Sequence, residues 1–279
     1  MSVAERLGTE IISADSRQVY ADIPVITAAP SDQDMARVPH HFVRTLPLDA
    51  YFSASVFETE ALNLLPDIFA RCGGTTVVCG GSMMYIDALC NGIDDIPTIS
   101  DRVRLQVAVM HSERGDEAML EILRDLDSEY YEAVDRRNIK RVLHAIEICL
   151  ESGTSYTKLR KGTRKQRDFR ILKFMLTAPR DILFDRINRR VLSMLDAGME
   201  EEAKKVLPFR HLNSLNTVGF KEMFKYLDGE WDLDTAIARL QKNTRVYAKK
   251  QLTWFARDKE IRTIDICGND ALSHILSAL

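Results

Sequence analysis

The amino-acid sequence predicts an α/β fold: a parallel sheet with helices on both faces, interrupted by an inserted all-helical stretch. Three observations predict it. Short β-branched or apolar runs at residues 10–13, 75–78 and 170–177 end in glycine, proline or small polar residues and read as buried strands. Segments with helical periodicity lie between them, and strands alternating with helices build a parallel sheet covered on both sides. From about residue 96 to 163 the pattern is helical throughout, without a strand signal.

The first strand holds Ile11 and Ile12, follows Gly8, and ends in Ser13, Asp15, Ser16, Arg17 and Gln18. Residues 22–39 read as a loop punctuated by Pro24, Pro30 and Pro39, and residues 40–44 as a short strand. Ser53 is placed to cap a helix running to about residue 72, with Pro66 as a kink and Gly73–Gly74 as its stop. The strand at 75–78 feeds Gly80, Gly81 and Ser82 and then an apolar helix over 83–90. Ser100 caps a helix in the strandless stretch, and residues 138–151 form another that stops at Gly153. After the strand at 170–177, Pro179 opens a helix over 181–197 that ends at Gly198. A further helix over 199–207 stops at Pro208, and a last long one covers 234–257.

The chain has 279 residues, 46% hydrophobic and 28% charged, enough for one domain or a large core with a smaller appended unit. No run approaches the roughly 20 apolar residues of a membrane helix, and residues 1–6 lack the apolar run of a signal peptide. Cysteines at 72, 79, 90, 149 and 267 form no C-x-x-C pair, which predicts reduced thiols and a cytoplasmic protein. The net charge of −3 does not advertise nucleic-acid binding, but its distribution does. Between residues 136 and 170 lie Arg136, Arg137, Lys140, Arg141, Lys158, Arg160, Lys161, Arg164, Lys165, Arg167 and Arg170, against only Glu147, Glu151 and Asp168. Such an excess can neutralise phosphates.

Four segments carry candidate chemistry. Ligands bind at the carboxyl ends of strands in open α/β sheets, so Asp15 can take a proton from a substrate while Arg17 holds an anion; equally, Asp15 or Ser16 can cap a helix. Arg186, Arg189 and Arg190 share one helix face and read as a diphosphate clamp or as a solvated stripe. Gly80–Gly81–Ser82 reads as an anion cradle or a plain tight turn. Lys242, Arg245 and Lys249 recur at helical spacing, with Lys250 and Arg257 nearby, as an RNA track or one side of an ordinary amphipathic helix.

Together and in order, these segments resemble the tRNA dimethylallyltransferase (tRNA isopentenyltransferase) family. The resemblance runs through D-S-R-Q-V-Y at 15–20, V-P-H-H at 38–41, F-S-A-S-V-F at 52–57 and G-G-S-M-M-Y at 80–85. It continues through N-I-K-R-V-L-H-A-I-E at 138–147, the arginine-rich 186–194, V-G-F-K-E at 218–222 and T-R-V-Y-A-K-K-Q-L-T-W-F at 244–255.

The resemblance implies a P-loop-kinase-like core over residues 1–95 and 168–279 and a helical insertion over 96–167 that grips the tRNA anticodon stem. It implies transfer of a dimethylallyl group from dimethylallyl diphosphate to the exocyclic amine of the adenosine 3′ of the anticodon, with Mg²⁺ as cofactor and a monomeric protein. Asp15 matches the general base and Arg190, with Arg186, the diphosphate-holding arginines. Ser16, Arg17, Gln18, Ser82, Arg104, Lys140, Arg141, Val142, Leu143, His144 and Lys221 match tRNA contacts. The family's phosphate-binding G-x-T-x-x-G-K-T does not occur in these residues. The expectation is therefore a shortened reading frame of an active enzyme, poorly stable without its first strand; the alternative is an RNA-binding paralogue without catalysis. A small-molecule enzyme on the same scaffold is disfavoured, because a mononucleotide needs no long phosphate track.

Overall fold

The computed structural model describes residues 1–268 and 270–279. The helices are α1 (Ser2–Leu7), α2 (Asp32–Arg37), α3 (Ala54–Arg71), α4 (Met83–Asn91), α5 (Asp101–Leu126), α6 (Ser128–Ala133), α7 (Ile139–Ser152), α8 (Tyr156–Leu159), α9 (Arg180–Asp196), α10 (Met199–Val206), α11 (Phe220–Leu227), α12 (Leu233–Phe255) and α13 (Ala271–Leu276). The strands are β1 (Ile11–Ser13), β2 (His40–His41), β3 (Val77–Cys79), β4 (Phe174–Thr177) and β5 (Arg262–Asp265). Both sheets are parallel, one in the order β2-β1-β3 and the other β4-β5. By contact the chain divides into two compact units, residues 1–90 with 167–279, and residues 91–166.

In the first unit, β1 is buried along its whole length and its successive side chains face opposite ways. Ile11 packs with Ala4 of α1 and Val38, whereas Ile12 packs with Phe57, Leu65 and Ile68 of α3 and Tyr85 of α4. Ser53 caps α3 through a hydrogen bond from the Val56 amide to its hydroxyl (3.2 Å), and Pro66 is carried inside the helix. A second core joins Val19, Tyr20, Ile23 and Ile26 to Val191 of α9, Met199 and Ala203 of α10, Phe220 and Met223 of α11, and Leu240 of α12. The turn after β1 is thus anchored into the C-terminal helices.

In the second unit, Val103, Val107, Met119, Leu123, Val142, Ile146 and Ile148 form the core. Gly115, at φ +74°, separates two helical stretches within α5. Ser100 caps α5, and its amide and hydroxyl are held by Glu151 (3.0 and 2.7 Å). Buried Asp127 accepts from Thr157 through its amide (2.7 Å) and hydroxyl (2.9 Å).

The structure differs from the sequence expectation at several elements. The strand expected over 40–44 shrinks to His40–His41, because Phe42 and Arg44 have φ +60° and +55°, outside extended space. The expected loop over 22–39 contains α2, nucleated by a reciprocal capping box between Ser31 and Asp34. The strand expected over 170–177 narrows to Phe174–Thr177, and β5, α11 and α13 are additional elements.

Candidate active site

Asp15 follows β1 and folds back on its own turn. Its Oδ1 accepts from the amides of Arg17 (2.8 Å) and Gln18 (3.2 Å), the local pattern that makes aspartate a turn former. Its Oδ2 has no hydrogen-bond partner among the described residues. The turn is held from outside as well: the Arg44 amide donates to the Gln18 carbonyl (2.7 Å), and the Thr45 and Leu46 amides donate to Val19 (2.8 and 3.0 Å). Gln18 is turned inward. Its Nε2 donates to the Thr27 and Ala28 carbonyls (3.2 and 3.1 Å), and its Oε1 accepts from the Ser13 hydroxyl (3.2 Å). Arg17 is half-buried, and no ion pair engages it among the described residues.

Parallel β3 delivers Gly80, Gly81 and Ser82 beside this turn. Here the glycines serve packing. A Cβ on Gly80 would lie 2.3 Å from the Ala14 carbonyl, and one on Gly81 would lie 2.0 Å from the Gln251 amide nitrogen. Ser82 then meets Ser16 twice: the Ser16 amide donates to its hydroxyl (2.8 Å), and the two hydroxyls are 3.0 Å apart. Asp15, Ser16 and Ser82 therefore form one oxygen-rich cluster at the strand ends.

Helix α12 covers it. Gln251 and Tyr247 both donate to the Gly81 carbonyl (2.8 and 3.3 Å). Burial pushes the Tyr247 hydroxyl above its usual range, and the Asp15 carboxylate adds to the rise while Arg17 opposes it. Asp15 and Arg17 are thus within electrostatic reach of α12. The same helix reaches α9, where Arg245 donates to the Asn188 side chain (2.5 Å) and Gln241 to its carbonyl (3.3 Å). Arg180, Arg245 and Lys249 all approach the Phe184 ring, at 5.0, 5.7 and 5.7 Å from its centroid.

On α9, Arg186 and Arg190 are exposed and unpaired among the described residues, whereas Arg189 is engaged by Asp185 one turn away. Arg189 is therefore diverted from the three-arginine stripe. Val191, next to Arg190, lies in the core cluster that also contains Val19 and Tyr20. Arginines on α9 and the Asp15 turn are thus linked through one core and through α12.

The remaining candidates sit elsewhere. In the second unit, Lys140, Arg141 and His144 are exposed on α7, and His144 lies 3.4 Å from Glu147. Val142 is 0% exposed and Leu143 packs onto the same core, so these two side chains fill the helical unit. Arg104 donates to the Ile99 carbonyl (3.4 Å) at the start of α5. In the first unit, Lys221 lines a cleft of about 480 Å³ with Arg210, His211, Asn216 and Phe224.

Sequence reasoning missed Tyr247 and Gln251 as covers of the turn and Phe184 as the hub of three cations. Tyr247 and Gln251 lie in the 244–255 stretch that carries the resemblance, but neither that motif nor helical spacing says what a helix lies against.

Comparison with known proteins agrees over nearly the whole chain. The profile of the family described as IPP transferase matches residues 18–258. The tRNA dimethylallyltransferase 1 of Phocaeicola vulgatus is 53% identical over 261 residues, covering 94% of this chain and 87% of that relative. The crystal structure of the full-length tRNA isopentenylpyrophosphate transferase from Bacillus halodurans is 32% identical, covers 99% of this chain and 89% of that one, and superposes with a TM-score of 0.71. A eukaryotic dimethylallyltransferase acting on tRNA reaches a TM-score of 0.80 at 25% identity, covering 99% of this chain and 72% of that one. On these grounds the chain belongs to the IPP transferase family.

Proposed function

We infer that this protein modifies tRNA, transferring a dimethylallyl group from dimethylallyl diphosphate to the exocyclic amine of the adenosine 3′ of the anticodon. Family membership supports the reaction class. The observation that carries the chemistry is the divided use of Asp15: one oxygen is pinned by its own turn and the other is left bare beside a cationic helix.

In the proposed step a bond forms between the amine nitrogen and the allylic carbon, and the carbon–oxygen bond to the diphosphate breaks. The diphosphate leaves with the electron pair, and the amine proton passes to Asp15 Oδ2 as general base. Arg190 and Arg186 receive the departing diphosphate, because cations aimed at a developing anion act most strongly in the transition state. The adenine must leave its stack to reach Asp15. Ser16, Arg17 and Ser82 line the side it would meet, and Gln18 shapes that side from behind. Lys140, Arg141 and His144, with Arg104 and Lys221, would contact the tRNA.

Mg²⁺ typically needs one or two protein oxygens and takes its others from phosphate and water. The Ser16 hydroxyl beside the turn could supply one such oxygen, leaving Asp15 Oδ2 for the proton, and a bound ion would neutralise charge on the diphosphate. The protein would work as a cytoplasmic monomer. No helix among the described residues is long and apolar enough to cross a membrane.

The test is direct. Unmodified tRNA is incubated with the protein and dimethylallyl diphosphate, digested to nucleosides, and read by mass spectrometry. Prenylated adenosine from the position 3′ of the anticodon is expected; tRNA bound but unmodified would contradict the reading.

A further inference from the structure

Glu202 on α10 is only 8% exposed, yet it does no work in the proposed chemistry. Each of its carboxylate oxygens accepts one backbone amide from the loop before α2: Val25 at 2.7 Å and Ile26 at 2.8 Å. The same loop is pressed from another side by Gly219, at φ +106°, where a Cβ would lie 2.4 Å from the Ile26 side chain. Gly219 is itself fixed, because its amide donates to the buried carboxylate of Glu222 (2.7 Å). The other oxygen of Glu222 accepts from Asn243 of α12 (2.7 Å). Two buried carboxylates therefore close on one loop, one directly and one through Gly219.

The next two residues of that loop supply the Thr27 and Ala28 carbonyls that take both N–H groups of the Gln18 amide. Ala28 sits at φ +47°, a conformation that persists only when its surroundings enforce it. Gln18 in turn lends its backbone amide to Asp15 Oδ1.

We propose that Glu202 is a positioning residue for the Asp15 turn: it holds the 23–28 loop as the template on which Gln18 is set, and through Gln18 it aims the carboxylate of Asp15. The geometry requires two acceptor oxygens. A glutamine offers one, and its NH₂ would meet the second backbone N–H donor to donor. The part played in turnover rests on the prenyl-transfer reading; the clamp itself does not.

The experiment compares Glu202→Gln, Gln18→Ala and the double variant. Glu202→Gln is expected to lower kcat about tenfold, with KM for tRNA within about threefold, since a small misplacement of a catalytic group mainly costs rate. Because Glu202 acts through Gln18, the double variant is expected to lose no more than the worse single one. Multiplying losses, or an unchanged kcat alongside a lowered Tm, would overturn the proposal. Hydrogen exchange gives a readout independent of activity. The amides of residues 25 and 26 should exchange faster in Glu202→Gln, and unchanged exchange would overturn the clamp even in an inactive protein. Wild-type protein without transfer would sink the prenyl-transfer reading and leave the exchange result to decide the clamp. Should Glu202→Gln fail to fold, Glu202→Asp keeps both oxygens on a shorter arm and should show the same exchange pattern at smaller amplitude; its absence would count against the proposal equally.

Discussion

Glu10 and Asp15 flank the same short strand and are used in opposite ways. Glu10, at the entrance to β1, is saturated: Arg71 grips it through Nε (2.5 Å) and Nη2 (2.8 Å), and His41 Nε2 lies 2.5 Å from it. The Arg71 hydrogen bonds outweigh the cost of burial and hold its carboxyl well down, at about 2. Asp15, at the exit, satisfies one oxygen with its own turn and leaves the other bare. A carboxylate whose lone pairs are all engaged ties β1, β2 and α3 together and has nothing left for a substrate. One that is oriented but half-used can accept a proton. The surroundings, not the residue type, divide structure from chemistry here.

That contrast can be broken in graded ways. The largest effect falls at the exit end. Arg190→Ala should lower prenyl transfer by about 10²- to 10³-fold, the usual cost of one charge-stabilising donor, with tRNA affinity nearly unchanged. Turnover near the parent value would make the α9 arginines a solvated face only. At the entrance end, Glu10→Ala leaves Arg71 and His41 without their shared partner. Arg71 is half-exposed, so the loss is smaller than for a fully buried ion pair. The thermal melt should fall by several degrees while kcat per folded molecule stays the same. If activity fell with stability, the two carboxylates would not be separable.

Acid should expose the same asymmetry. The folded-state pKa of Glu10 is depressed, so its stabilisation is complete above the ordinary carboxylate value of about 4.3 and fades as pH falls through about 2. Urea midpoints measured down that range should drop more steeply for the parent than for Glu10→Gln. The smallest effect concerns the helical unit. Replacing both Lys140 and Arg141 by alanine should reduce the slope of log affinity for tRNA against log salt by about one for each cation removed. An unchanged slope would take α7 out of the phosphate contacts.

How much of this could be read from residues alone follows the range of the interactions. The β1 strand and the polar turn after it were legible because Ile11 and Ile12 are buried locally and Asp15 bonds only two and three residues ahead. Helices α3, α5 and α9 were legible from their apolar spacing and, for the first two, from serine caps. The glycines at 80 and 81 were legible as a close approach, but not what approaches: it is the protein's own Ala14 and Gln251. The short β5 was missed because three of its four residues are exposed and only Ile264 is buried, which leaves little hydrophobic pattern. Nothing in the sequence distinguishes Glu202 from its neighbours in E-E-E, and only the fold reveals that it alone of the three turns into the core.

The central claim is that the free oxygen of Asp15 receives the amine proton. Asp15→Asn tests it most directly, because an amide oxygen can still accept from the Arg17 and Gln18 amides and so preserves the turn. Single-turnover transfer to a tRNA anticodon stem-loop, measured beside Kd for the same RNA, should fall by at least about 10²-fold with Kd within about threefold. Transfer within a few fold of the parent, at unchanged affinity, would show that Asp15 is not the base.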